Sequence, residues 1–165
     1  MVTFYRECMP DIEPVTTTIY LEATAERVWR ALTDATETAE FWGSSNVSSD
    51  WKVGSEWAHV TGEGAAQVEG TILESDPPRR LVNTWAAPGH EHPHGPSVVT
   101  FEIEQFESIV RLTVTDANLA SEAERTESAS GWSAVLSNLK TFVETGHPLP
   151  VAPWLMPART APPAA

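Results

Sequence analysis

Residues 131–144, with the sequence GWSAVLSNLKTFVE, decide the fold of this chain. Their apolar side chains recur at the i, i+3, i+4 and i+7 spacing that places them on one face of an α-helix. The stripe consists of Trp132, Val135, Leu136, Leu139, Phe142 and Val143. Gly146 and Pro148 follow at positions where a glycine and a proline commonly end a helix. The pattern predicts a long C-terminal helix whose wide apolar face needs a curved sheet to pack against.

The sequence before this helix has the alternation and the turn residues of β-strands. Two consecutive prolines make residues 76–79 a turn, because proline cannot donate to a strand ladder. The last two strands alternate apolar and polar residues, which predicts an antiparallel sheet with one face on the helix and the other in solvent. On the solvent face we expect Glu102 or Glu104 near Arg111. The strands are predicted over residues 16–21, 47–51, 56–61, 67–74, 80–85, 98–105 and 109–115.

Two short helices are predicted between the first and second strands. Thr24 has the position of an N-cap for a helix that ends near Asp34. A second helical segment begins at Thr36, carries Phe41 and Trp42, and ends at the next glycine.

Length and composition indicate one domain that needs neither a metal nor a disulfide to fold. We predict a folded domain over residues 15–149, an N-terminal extension over 1–14 and a tail rich in proline and alanine over 150–165. Cys8 is the only cysteine, so no disulfide can form within the chain. The sequence also lacks the apolar run of a signal peptide or of a membrane span, and together these features favour a cytoplasmic protein.

The charge of the chain excludes some partners. The formal net charge is −13 at pH 7, and no basic stripe is present to bind phosphates. We therefore expect neither a nucleic-acid partner nor binding to an anionic membrane surface. Common catalytic and nucleotide-binding motifs are absent, including G-x-S-x-G, the P-loop, G-x-G-x-x-G and H-E-x-x-H. No cofactor is expected.

Four segments resemble the START-like superfamily, also called SRPBCC, in the order in which that superfamily has them. They are VWRALT at 28–33, DWKVG at 50–54, GTILESDPPRRLV at 70–82, and 131–140 with Glu144. Within the superfamily they are similar to bacterial relatives of the C-terminal domain of heat-shock chaperone ATPase activators, the AHA-type domain. The resemblance implies an α+β helix-grip fold, in which a curved antiparallel sheet wraps around the long C-terminal helix and two short helices follow the first strand. The superfamily includes lipid and polyketide carriers, cyclases, receptors and chaperone regulators, so it implies no shared catalytic residues.

A sheet wrapped around one helix commonly leaves a ligand cavity between the two. Aromatic and aliphatic residues on the inner faces are the candidate ligand contacts, and the alternative is that they only fill the core. His59 and Asn83 are the candidate polar contacts. The apolar candidates are Phe41, Trp42, Trp57, Trp85, Phe101, Leu112, Trp132, Leu136 and Leu139.

The segment His90-Glu91-His92-Pro93-His94 has side chains that could bind a divalent metal ion. However, the flanking glycines and the proline leave the directions of the imidazoles unfixed, and no supporting residues can be named. We predict no metal site here, and we expect these histidines to have no part in folding or ligand binding.

The sequence favours a protein that binds a small apolar ligand between the sheet and the last helix, without chemistry, in a stress response or in regulation. One alternative is a cyclase-type enzyme that uses His59 as its acid or base together with polar groups of the cavity. Another is an interaction module, similar to the chaperone activators, that presents its acidic surface to a protein partner. The identities of the ligand and the partner, and the presence of a homodimer, stay open.

Overall fold

The computed structural model describes residues 11–43, 45–89, 92 and 94–157. Within these residues, seven strands form one antiparallel sheet with the order β1-β7-β6-β5-β4-β3-β2. The strands are β1 Val15–Glu22, β2 Asn46–Ser48, β3 Glu56–Val60, β4 Ala66–Asp76, β5 Arg80–Trp85, β6 Ser97–Phe106 and β7 Ile109–Ala117. The helices are α1 Ala25–Thr33, α2 Ala35–Phe41 and α3 Glu122–Thr145, followed by a single 3₁₀ turn at Pro153–Leu155. The predicted α+β helix-grip fold is confirmed.

Apolar and polar residues alternate along β6 and β7, so that one face of the sheet is apolar and the other is polar, as predicted. Phe101 and Leu112 belong to the buried core, at 4% and 0% exposure. On the outer face, Glu104 lies directly opposite Arg111, and the guanidinium donates to the carboxylate at 2.7 Å. Because every second residue of an antiparallel strand faces the same side, the apolar half of each strand forms a continuous surface for α3.

The two short helices share one capping residue. The hydroxyl of Thr24 accepts a hydrogen bond from the amide of Arg27 and caps α1, as predicted. Asp34 ends α1 and caps α2, where its carboxylate accepts from the amides of Thr36 and Glu37. The hydroxyl of Thr36 also donates to this carboxylate, and this hydrogen bond, together with those from the two amides, favours the ionised form and lowers the pKa of Asp34. The chain therefore turns sharply between the two helices without a loop.

The predicted strand over residues 47–51 is too long, because the chain leaves the sheet after Ser48. Trp51 has a left-handed backbone with φ of 60°, and its indole donates to the carbonyl of Thr33 at 3.1 Å. Gly54 follows with φ of 87°, a conformation that glycine adopts at no steric cost. The DWKVG segment is thus a structural turn that ties β3 to α1.

The predicted start of the last helix at Gly131 is wrong, because α3 begins at Glu122. Ser121 caps it by accepting from the amide of Glu124, and the Glu124 carboxylate accepts from the amide of Ala120. This pairing is a variant of the capping box. The first turns of α3 carry no apolar stripe, so the periodicity of the sequence does not reveal them.

The second half of α3 is anchored by packing and by one buried amide. Leu136 and Leu139 are almost fully buried, at 1% and 0% exposure. Asn138 donates to the carbonyl of Phe41 at 2.8 Å and accepts from the amide of Leu149 at 2.7 Å. The helix is thereby joined both to the end of α2 and to the chain that follows it. None of the helices in the described part of the chain is long and apolar enough to cross a membrane.

Candidate functional site

Aromatic rings from five separate segments meet on the inner side of the sheet. They come from the end of α2, from β3, β5 and β6, and from α3. The ring centroids of Trp42 and His59 are 4.4 Å apart, and those of Trp57 and Trp85 are 4.6 Å apart. Trp132 of α3 meets Trp85 at 5.4 Å with the two rings steeply inclined. The structure therefore brings the predicted tryptophans of helix and sheet into one cluster, which we call the aromatic cluster and which comprises Trp42, Trp57, His59, Trp85, Phe101 and Trp132.

The space beneath the aromatic cluster is almost filled. The void that Trp57, His59, Asn83 and Phe101 help to line has a volume of about 10 Å³. This volume is about the size needed for a single water molecule. The carbonyl oxygen of the Asn83 side chain is buried and has no hydrogen-bond partner among the described residues. This void, whose lining includes Leu32 of α1 and no residue of α3, is thus large enough for a water but not for a ligand.

His59 is a neutral imidazole packed among indoles. It is 3% exposed, and burial away from water lowers its pKa from 6.5 to about 4. Its Nδ1 lies 3.3 Å from the hydroxyl of Ser45, and its ring contacts those of Trp42 and Trp57. No charged side chain takes part in these contacts. The predicted polar contact is therefore part of the packed wall.

Four of the predicted ligand contacts line neither this void nor the cleft described next. They are all at most 1% exposed and belong to the hydrophobic core. These residues are Phe41, Leu112, Leu136 and Leu139.

An open cleft lies at the edge of the aromatic cluster, between the first half of α3 and the ends of β5 and β7. It has a volume of about 230 Å³. A second space of about 540 Å³ shares Trp85, Asp116 and Ser128 with it, so the two are adjacent. We call the two together the α3 cleft. The smaller part is lined by Trp42, Trp85, Asp116, Ser128, Gly131, Trp132 and Val135.

Asp116 is the polar centre of the α3 cleft and was missed by the sequence analysis. The residue is 6% exposed. One carboxylate oxygen accepts from the hydroxyl of Ser128 at 2.6 Å and from the indole of Trp132 at 3.3 Å. The other oxygen is buried without a hydrogen-bond partner among the described residues. Asp116 continues the inward-facing alternation of Val110, Leu112 and Val114, which is the signal that could have identified it.

Of the described residues in the histidine-rich loop, one lines the α3 cleft. His92 lines the larger part of the cleft, and its Nδ1 lies 3.8 Å from the carboxylate of Glu124. The expectation that the histidines of this loop have no part in folding or ligand binding stays a prediction. His90, by contrast, lies outside the described residues.

Asn118 holds the end of the loop by donating to the carbonyls of His94, Gly95 and Pro96. No group of three or more potential metal ligands occurs among the described residues.

Comparison with known families gives a match over most of the folded part of the chain. The family model described as Activator of Hsp90 ATPase homolog 1-like protein matches residues 22–144. The chain belongs to this family. The matched range begins at the end of β1 and ends in the last turn of α3. No curated protein matches the sequence.

Solved structures with this fold come from several bacteria and from a parasite. CalU16 from Micromonospora echinospora is 25% identical with a TM-score of 0.67, over 83% of this chain and 77% of that chain. The Aha1 dimer from Colwellia psychrerythraea is 20% identical with a TM-score of 0.69, over 82% and 98% of the two chains. An Hsp90 activator from Plasmodium falciparum is 23% identical with a TM-score of 0.64, over 82% and 97%. Because the last two structures are only 20% and 23% identical to this chain, their similarity establishes the fold alone.

Proposed function

We propose that this protein binds a small, mostly apolar ligand in the α3 cleft, without chemistry, as a sequestering or sensing protein in a stress or regulatory setting. The observation that carries the proposal is the open space beside Trp42, Trp85 and Trp132, with one polar centre at Asp116. Ligand sites are commonly apolar clefts of roughly 300–1,000 Å³ with a few convergent polar groups. The two parts of the α3 cleft, about 230 and 540 Å³, fall in this range when taken together.

Gly131 supports this proposal because it leaves the cleft open, although a glycine at this position lowers the stability of the helix. A glycine in a helix interior destabilises it by roughly 0.5–1 kcal/mol relative to alanine. At this position the helical backbone does not require glycine, and a Cβ would meet no atom within 4 Å outside its own stretch of helix. A larger residue would fit the helix but would project into the cleft that Gly131 lines.

Two observations argue against the cyclase alternative. The candidate base His59 has its pKa lowered to about 4, so at neutral pH it is a weak proton acceptor. It also lines a void of only about 10 Å³, which leaves no room for a substrate beside it.

Blocking the cleft tests the proposal. We expect the neutral fluorophore N-phenylnaphthylamine to bind with a dissociation constant in the micromolar range, roughly −8 kcal/mol, and to change the tryptophan emission. Gly131→Leu should abolish binding while the protein stays folded, because the new side chain enters the cleft. Ser133→Leu is the matched control, since Ser133 is exposed on the same helix and does not line the cleft. Equal binding by both variants, or no binding by the wild type, contradicts the proposal.

Family membership supports a second candidate function, the stimulation of a chaperone ATPase. An exposed apolar patch on the outer face of the sheet, formed by Tyr20, Phe106 and Ile109, offers a surface for a protein partner. The purified protein should then raise the ATPase rate of an Hsp90 chaperone, and replacing all three residues by serine should remove the effect. An unchanged ATPase rate excludes this candidate.

Sedimentation of the purified protein tests whether it forms a homodimer.

A further inference from the structure

We propose that the ligand of the α3 cleft is a cation, an apolar aromatic amine whose ammonium group binds the carboxylate of Asp116. This inference rests on the proposed ligand-binding function and deepens it by naming the chemical class of the ligand.

The hydrogen bonding of the Asp116 carboxylate is incomplete. Ser128 and Trp132, one helical turn apart on α3, both donate to the same carboxylate oxygen and so fix its orientation. The second oxygen accepts from no described residue, and Asp116 has no ion-pair partner within 4.0 Å in the described part of the chain. A buried carboxylate that lacks both partners is costly unless a ligand, an ion or a water supplies them. An ammonium donor at this oxygen would supply both the hydrogen bond and the opposite charge.

The charged side chains that line the α3 cleft are acidic. Asp116, Glu124 and Glu127 line the larger part, and no lysine or arginine is present among the described lining residues. The chain as a whole carries a net charge of −13. A cleft lined by one sign of charge focuses the field and raises the local concentration of oppositely charged ligands. An anionic ligand would be repelled at the same place.

Tryptophan side chains form an aromatic wall beside the carboxylate. Trp132 donates to Asp116 and meets Trp42 at 5.8 Å and Trp85 at 5.4 Å, with both pairs of rings steeply inclined. Indole faces attract cations, and they also stack on aromatic ligands. An aromatic amine would therefore place its ring against the tryptophans and its charge at Asp116.

Three probes with the same ring system but different charges test the inference. They are naphthylethylamine, a cation at neutral pH, naphthylethanol, which is neutral, and naphthylacetate, an anion. Binding is measured by calorimetry in about 0.5 M NaCl, where attraction by distant surface charges is screened over a few Å. We expect the amine to bind about tenfold more tightly than the alcohol, and the anion to bind weakest.

Asp116→Asn is the decisive variant because it removes the charge and keeps the shape. The amide oxygen of asparagine can still accept from Ser128 and Trp132, so the fold should persist, which the thermal midpoint of unfolding checks. In this variant the preference for the amine over the alcohol should fall to within about threefold. Glu63→Gln is the matched control, because it removes one exposed carboxylate in the turn after β3, far from the cleft lining. It should keep the full preference.

The outcomes separate this inference from the function on which it rests. Equal binding of amine and alcohol to the wild type, with both blocked by Gly131→Leu, overturns the cationic ligand and leaves a neutral apolar ligand. A preference for the amine that survives in Asp116→Asn also overturns it. No binding of any probe overturns the proposed function itself. The wild-type comparison decides the question even if Asp116→Asn fails to fold.

Discussion

The two halves of α3 face different surroundings, although they belong to one continuous helix. In the second half, Leu136, Leu139 and Phe142 are buried at 1%, 0% and 7% exposure. In the first half, Ser128 and Gly131 border open space, and Trp132 stands between the two regions. The second half therefore supplies stability, and the first half supplies a site. A helix divided in this way can change its ligand contacts without losing the packing that holds the fold.

The largest expected effect tests the packed half. Leu139→Ala should lower the free energy of unfolding by about 2–5 kcal/mol, because it removes buried methyl groups and leaves a cavity. Leu155→Ala is the matched control, since Leu155 is 70% exposed. Chemical denaturation of both variants measures the difference. A loss below about 0.5 kcal/mol for Leu139→Ala, the size typical of exposed positions, would show that this half does not form the core.

A pH-dependent effect tests the filled space beneath the aromatic cluster. The folded-state pKa of His59 is about 4, below the value of 6.5 for an exposed histidine, so the unfolded chain binds the proton more tightly. The contribution of His59 to stability is complete above pH 6.5 and is lost as the pH falls towards 4. The loss should reach about 3 kcal/mol, since each pKa unit is worth about 1.4 kcal/mol.

Comparison of the wild type with His59→Gln separates the contribution of His59 from that of the carboxylates, because the carboxylates titrate in both proteins. Denaturation between neutral and acidic pH should show a steeper loss of stability for the wild type than for the variant. Parallel profiles would mean that His59 is solvated, and the deep space would then be open rather than filled.

The smallest expected effect tests the open half. Gly131→Leu should raise the free energy of unfolding by about 0.5–1 kcal/mol, because leucine is a better helix former and its Cβ meets no neighbouring atom. Thermal and chemical denaturation check the change, with Ser133→Leu expected to give a smaller gain. A clear loss of stability for Gly131→Leu would show that this part of α3 is packed like the second half.

Much of the fold follows from local patterns in the sequence. The alternation of β6 and β7, the Thr24 cap and the apolar stripe of α3 each depend on residues close together in the chain, so all three were predictable. The start of α3 was missed because residues 122–130 carry no stripe, although Ser121 and Glu124 have the spacing of a capping box.

The site was only partly predictable, for a physical reason. The sequence identified Trp42, Trp85 and Trp132, because large aromatic residues on inward positions form either a core or a pocket. Whether they leave open space depends on how side chains from distant segments meet, and no local pattern reports that. Asp116 lies on an inward position that alternation could have identified, but its unpaired oxygen is visible only in three dimensions.

The indole N–H signals of the seven tryptophans test the central claim most directly. In a two-dimensional nuclear magnetic resonance titration with naphthylethylamine, signals assigned by single Trp→Phe substitutions report where the ligand binds. We expect the largest shifts at Trp42, Trp85 and Trp132, with little change at Trp29, Trp51 and Trp154. Saturable binding that shifts Trp57 most and leaves Trp132 unchanged would place the ligand beneath the aromatic cluster and contradict the division between a filled core and an open cleft.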